Sequence, residues 1–192
     1  MPNGSKKTTS WGNVADWYQN LLSGEGTYQK DLILPNLLRL LDIKKGETIL
    51  DLGCGPGFFS QAFLKAGAKV VATDISKELI EAAKSQVGPE LRKNILFFSA
   101  PAHDLKFLKN ESADKIAIIL AIQNLENVQQ VFQECARVLK PEGKMFLVMN
   151  HPAFRIPKES GWEWDAKIKI QYRRIDSYLS ESRSKIEMNP SA

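Results

Sequence analysis

The stretch from Ile49 to Ser60, ILDLGCGPGFFS, constrains this chain more than any other. An apolar run ends in a carboxylate, Asp51, and glycines follow at alternate positions, Gly53, Gly55 and Gly57, before a helical pattern opens. This reads as a buried strand, a tight turn and a helix, with glycine where backbone must come close to a ligand. A second apolar run, Lys69 to Thr73, ends in Asp74. That spacing places a carboxylate at the tip of the next strand, where ribose hydroxyls can be met.

Charge and spacing narrow the ligand. The dinucleotide fingerprint G-x-G-x-x-G needs glycine at position 58, where this chain has Phe58. That fingerprint also cradles a pyrophosphate on backbone N–H groups, and a carboxylate as close as Asp51 would repel it. No G-K-[ST] follows the turn, which excludes an ATP-binding P-loop. An adenosine compound with a positively charged tail fits, and S-adenosylmethionine carries both an ammonium and a sulfonium.

With 192 residues and 43% hydrophobic content, the chain can bury one sizeable core. A net charge of +4 is too mild to demand a polyanionic partner. No apolar run approaches a membrane span, and the N-terminus MPNGSKKTTSWGN lacks a signal-peptide core. Cys54 and Cys135 have neither metal-ligand nor disulfide-scaffold spacing. The expected setting is the reducing cytoplasm, with no metal and no membrane partner.

Helical spacing marks Asn13 to Leu22, and a second helix is expected from Gln29 to Leu41, interrupted or kinked at Pro35. Strands are expected at Thr48–Leu52, Lys69–Thr73, Ile95–Phe98, Lys115–Ala121 and Lys144–Met149. Between them, one helix should bury Phe59, Ala62, Phe63 and Ala66 and end at Gly67. Another, capped by Ser76, should bury Leu79, Ile80, Ala83 and Val87. A third should carry the stripe Val128, Val131, Phe132, Cys135, Val138 and Leu139. Such alternation specifies an α/β, doubly wound, mainly parallel sheet, with ligands beyond the carboxyl ends of its strands. Residues 151–192 are polar, with no evident amphipathic helix followed by apolar strands. Either the sheet is short or the chain is truncated, and a missing hairpin would leave an edge open to self-association.

Asp51-x-Gly53-x-Gly55-x-Gly57 with Asp74, continued through Asp104-Leu105 to the run Arg137–Lys144, resembles class I S-adenosylmethionine-dependent methyltransferases of small-molecule type. The resemblance covers residues 30 to 150. It implies a Rossmann-like methyltransferase fold, an N-terminal lid over residues 1–28, a cofactor domain over 29–150, and a C-terminal extension over 151–192. It implies that Asp51 orients the methionine ammonium, that Asp74 accepts both ribose hydroxyls, and that Leu79 lies against adenine. The further contacts it implies are Gly53, Cys54, Gly55, Gly57, Phe58, Ile75, Ala102, His103 and Ala121. Pro101 stands where relatives often carry an acid, so the acceptor for the adenine amino group falls to His103 or Asp104. Trp11, Trp17, Tyr18 and Tyr28 resemble a lid, with Tyr28 on the methionine carboxylate.

Transfer from a sulfonium is an in-line displacement, so positioning supplies most of the catalysis. The sequence assigns no catalytic group, and the candidates for a base are Gln123, Asn124, Asn150 and His151. No N-P-P-Y follows the fourth strand, where Ile122-Gln123-Asn124-Leu125 stands, which weakens a nucleic-acid-base acceptor. A small-molecule methyl acceptor is expected, on a monomer or homodimer. Lys167, Lys169, Arg173 and Arg174, interleaved with Trp164 and Tyr172, leave an RNA or protein methyltransferase as an alternative. Pro101 and the short C-terminal third leave a non-catalytic cofactor-binding protein as another.

Overall fold

A computed structural model describes residues 24–151, 160–176, 178 and 180. The expected helix over 13–22, the aromatic residues Trp11, Trp17 and Tyr18, and the tail residues Phe154 and Arg155 lie outside the described residues.

The chain divides after Val148 into two compact units. In the first, β1 (Thr48–Leu52), β2 (Lys69–Asp74), β3 (Ile95–Ser99), β4 (Ala113–Ile119) and β5 (Leu139–Val148) form one sheet in the order β3-β2-β1-β4-β5. Every pairing in it is parallel. This is the doubly wound α/β arrangement the alternation requires. Strand β1 reads as a continuous apolar run because both faces are covered. Ile49 packs with Phe63 and Val70 on one face, while Leu50 and Leu52 pack with Ile116, Ile118 and Val131 on the other.

The expected helix over 29–41 is a π-helical turn, Gln29–Ile33, followed by α1 (Leu34–Leu41). Pro35 is the second residue of α1, directly after that turn, and its missing N–H interrupts the hydrogen-bond ladder at the junction. Helix α2 (Phe58–Lys65) buries Phe59, Ser60, Phe63 and Leu64, a correction to the expected face with Ala62 and Ala66. The bulkier Leu64 outcompetes two alanines for the core, and Ser60 is drawn inward by a bond to Asp51. Helix α3 (Lys77–Gln86) begins as expected, with the Leu79 N–H donating to Ser76 Oγ at 3.3 Å.

Helix α4 (Val128–Val138) buries only Val131, Cys135 and Val138, so its apolar stripe is narrower than expected. Val128 and Phe132 are exposed, and Leu139 already belongs to β5. Strand β5 therefore starts before the predicted Lys144. Leu139 pairs with Ala113 and Lys144 with Lys115, with a bulge between them in which Glu142 adopts a left-handed φ of 64°.

The second unit corrects the reading of the tail. Its β6 (Ser160–Asp165) and β7 (Ile170–Ile175) form an antiparallel pair. The sequence concealed it because the ribbon buries little: Trp162, Trp164, Ile170 and Tyr172 are all exposed, so no apolar face stands out. Among the described residues no helix is long and apolar enough to cross a membrane.

Candidate functional site

The turn after β1 is held by the strand beside it. The Thr73 carbonyl accepts from the N–H groups of Gly53 (2.8 Å) and Cys54 (2.9 Å), and Gly55 N–H donates to Asp74 Oδ2 at 2.9 Å. The other carboxylate oxygen, Asp74 Oδ1, accepts from Ser76 N–H at 2.9 Å. Asp74 thus joins the glycine turn to the start of α3. Two glycines are required by packing within the protein as well as by any ligand. A Cβ on Gly53 would stand 2.8 Å from the Ala121 Cβ, and one on Gly57 would stand 2.9 Å from the Ala83 Cβ. Both residues have left-handed φ, 76° and 83°.

At the carboxyl ends of the strands lies a cavity of about 360 Å³, within the range of roughly 300–1,000 Å³ of small-molecule sites. Its walls come from the β1 turn, the end of β2, the segment after β3 and the loop after β4. This is the switch point of the sheet, since β1 has β2 on one side and β4 on the other. The structure brings Gly53, Gly55, Asp74, Ile75, Leu79, Pro101, Ala102, His103 and Ala121 together around it. Among the described residues the charged side chains on the wall are Asp74 and Glu126, and no Lys or Arg lines it.

Other candidates stand elsewhere. Asp51 is 1% exposed and lies beneath the turn, on the face of β1 that Ile49 shares, where Ser60 Oγ donates to its Oδ2 at 2.5 Å. Cys54 is buried, and Gly57 packs on α3. Phe58 borders a separate apolar groove against α1, and Tyr28 is exposed at the first helical turn. None of these five lines the cavity. Gln123 is exposed and donates to the Leu120 carbonyl at 2.7 Å. Asn150 and His151 belong to the second unit, where the His151 ring stacks on Tyr178 with centroids 5.9 Å apart.

Sequence reasoning missed Thr73, Leu120, Leu125 and Glu126 on the wall. The last three are there because a 3-10 turn, Ile122–Asn124, folds the chain back after β4. Leu120 enters that loop with φ of 53°, a conformation that a leucine gives no sign of adopting.

Burial pushes the Asp51 carboxyl up to about 7, against the opposing pull of the Ser60 hydrogen bond and with a further push from Asp74. Burial also raises Asp74, offset by the N–H groups of Ser76 and Gly55. The Cys54 thiol is pushed well above its ordinary value by burial and by both carboxylates, so it stays protonated and unreactive. A raised acid holds its proton in the folded chain while the unfolded chain has lost it. The stability Asp51 contributes is therefore complete below about pH 4 and is lost as pH rises through about 7. At 1.36 kcal/mol per pKa unit the loss is at most about 4 kcal/mol. Urea denaturation from pH 5 to 8 should show a falling midpoint for the wild type and a shallower fall for Asp51→Asn, in which Asp74 is the remaining raised acid. Parallel curves would refute the assignment. Glu47, Asp114 and Glu134, whose values are lowered, titrate below this window.

Fold and site together define a Rossmann-like protein with a cavity at the switch point of its sheet and two carboxylates on the cavity wall. Residues 50–147 match a family described as a methyltransferase domain. The chain belongs to this family, the class I S-adenosylmethionine-dependent methyltransferases. An uncharacterised protein of Haemophilus influenzae is 28% identical over 177 residues, covering 89% of this chain and 69% of the relative. A ubiquinone biosynthesis O-methyltransferase of Coxiella burnetii is 35% identical over 125 residues, 61% of this chain and 51% of the relative. This chain therefore spans about half the length of that enzyme. The crystal structure of an S-adenosylmethionine-dependent methyltransferase from Mesorhizobium loti superposes with a TM-score of 0.70 at 29% identity, covering 82% of this chain and 70% of that one.

Proposed function

We propose that this chain transfers a methyl group from S-adenosylmethionine to an oxygen, nitrogen or carbon atom of a small molecule. The observation that carries this reading is the switch-point cavity, whose wall among the described residues holds two carboxylates and neither Lys nor Arg. Such a wall disfavours a pyrophosphate and favours a cationic adenosyl compound. Asp74 can serve ribose hydroxyls, because a carboxylate has about four lone-pair sites and the two backbone N–H groups use two. Leu79 and Ile75 offer an apolar surface to the base, beside Pro101, Ala102 and His103.

Bound S-adenosylmethionine would supply an electrophilic methyl on a sulfonium. The chain's own share is then to fix two reactants in line and to keep water out. A general base is needed only for an acceptor that must lose a proton. The ubiquinone O-methyltransferase relatives support an oxygen acceptor on a small molecule.

Calorimetry with S-adenosylmethionine and S-adenosylhomocysteine tests the cofactor, and labelled-methyl transfer to a panel of phenols, amines and carbon acids tests the acceptor. Micromolar binding of both compounds and labelled product on a panel member are expected. Binding of NAD in preference to either would overturn the cofactor assignment. Tight cofactor binding with no product from any acceptor would favour a non-catalytic binding protein.

A further inference from the structure

We propose that Glu126, and not Asp51, is the counter-charge for the cationic end of the adenosyl ligand. The inference rests on the reading of the cavity given above and goes beyond it by assigning the charge.

Asp51 is ill placed for the task. It lies outside the cavity wall, its Oδ2 accepts from Ser60 Oγ, and burial leaves it partly protonated near neutral pH. Asp74 is on the wall, but two of its lone-pair sites hold backbone N–H groups and the other two are those that the proposed function gives to the ribose hydroxyls. Glu126 is on the wall, is exposed, and makes no hydrogen bond or ion pair with any other described residue. Among the described residues its charge is uncommitted.

The sheet order gives the two wall acids different parts of one elongated ligand. Asp74 ends β2 and Glu126 follows β4, and these strands flank β1 on opposite sides. A nucleoside anchored at Asp74 and extended across the glycine turn meets the loop after β4 with its far end. For an adenosyl amino acid that far end carries the positive charge.

The loop is built to hold that position. Leu120 N–H donates to the Val148 carbonyl at 2.7 Å, Gln123 Nε2 closes on the Leu120 carbonyl, and Asn124 N–H donates to the Ala121 carbonyl at 2.8 Å. Beyond Glu126, Asn127 takes φ of 50° and its side chain donates to Gln130 Oε1 at 2.6 Å. Left-handed leucine and asparagine on either side of the acid are a conformational cost of the kind that clusters at ligand sites.

The test compares wild type, Glu126→Gln and Glu126→Asp by calorimetry, with S-adenosylmethionine and with 5′-methylthioadenosine, which lacks the charged tail. Glu126→Gln should raise the Kd for S-adenosylmethionine about three- to tenfold, the range for a solvent-exposed charge pair meeting a held ligand. The Kd for 5′-methylthioadenosine should stay within about twofold, Glu126→Asp should recover most of the loss, and salt at about 0.5 M should close the gap. An unchanged Kd for S-adenosylmethionine, or equal weakening of both ligands, overturns the assignment of Glu126. If the wild type binds neither ligand, the reading of the cavity itself fails.

Discussion

Asp74→Ala should raise the Kd for S-adenosylmethionine at least about 100-fold and leave turnover undetectable. Two causes add. On the proposed function the ligand loses an acceptor for its ribose hydroxyls, and the Gly55 and Ser76 N–H groups lose the oxygens that fix the turn. A hydrogen bond to a charged group contributes about 1.5–3 kcal/mol, so losing one in effect at the ligand is already close to a hundredfold. Asp74→Asn keeps one acceptor but sets an amide N–H₂ against a backbone donor, and a loss of about tenfold is expected for it. Calorimetry on both variants, with thermal melts to confirm that each is folded, decides the matter. A folded Asp74→Ala protein with a Kd within threefold of wild type would remove Asp74 from the site.

The second large effect falls on stability. Gly57→Ala should cost roughly 3 kcal/mol, because the new methyl meets α3 and the backbone keeps a left-handed φ. The Ala83 Cβ lies 2.9 Å from the added carbon and the Ala83 Cα 3.3 Å from it, so the helix backbone itself is in the way. Ala83→Gly in the same chain should return the steric share at the expense of about 1 kcal/mol for a glycine within a helix. A double-mutant cycle read by urea denaturation isolates that coupling. Gly26→Ala is the control, with a similar φ of 71° and nothing within 4 Å of the added carbon. It should lose only the conformational term, about 1 kcal/mol. Equal losses at positions 26 and 57 would mean that contact with α3 contributes nothing.

Much of the fold was legible in the sequence because its signals are local. The extent of β1 follows from an apolar run ending in a charge and glycine, and α3 follows from Ser76 and the spacing of Leu79, Ile80 and Ala83. The faces of α2 and α4 were less legible, because periodicity marks several apolar stripes and packing selects one. The start of β5 was hidden by a bulge, since Lys140 to Gly143 looks the same as a turn or as an insertion within a ladder. The β6–β7 ribbon was hidden because alternating exposed aromatic and charged residues imitate a solvated tail.

For the site, the sequence located the edge of the sheet and several residues of the cavity wall, namely Gly53, Gly55, Asp74, Leu79 and the segment Pro101 to His103. It could not say which carboxylate faces the ligand. An acid at a strand end points to one face or the other by parity, and which face carries a helix is a property of the assembled layers. Asp51 shares with Ile49 the face of β1 that α2 packs on, where it accepts a hydrogen bond from Ser60 Oγ.

The order of strands and glycines along the chain therefore set the architecture and the class of ligand, since covalent spacing and backbone freedom are written residue by residue. Only tertiary structure decided which acids reach the cavity. Burial keeps Asp51 off its wall, and a 3-10 turn after β4 carries Glu126 onto it.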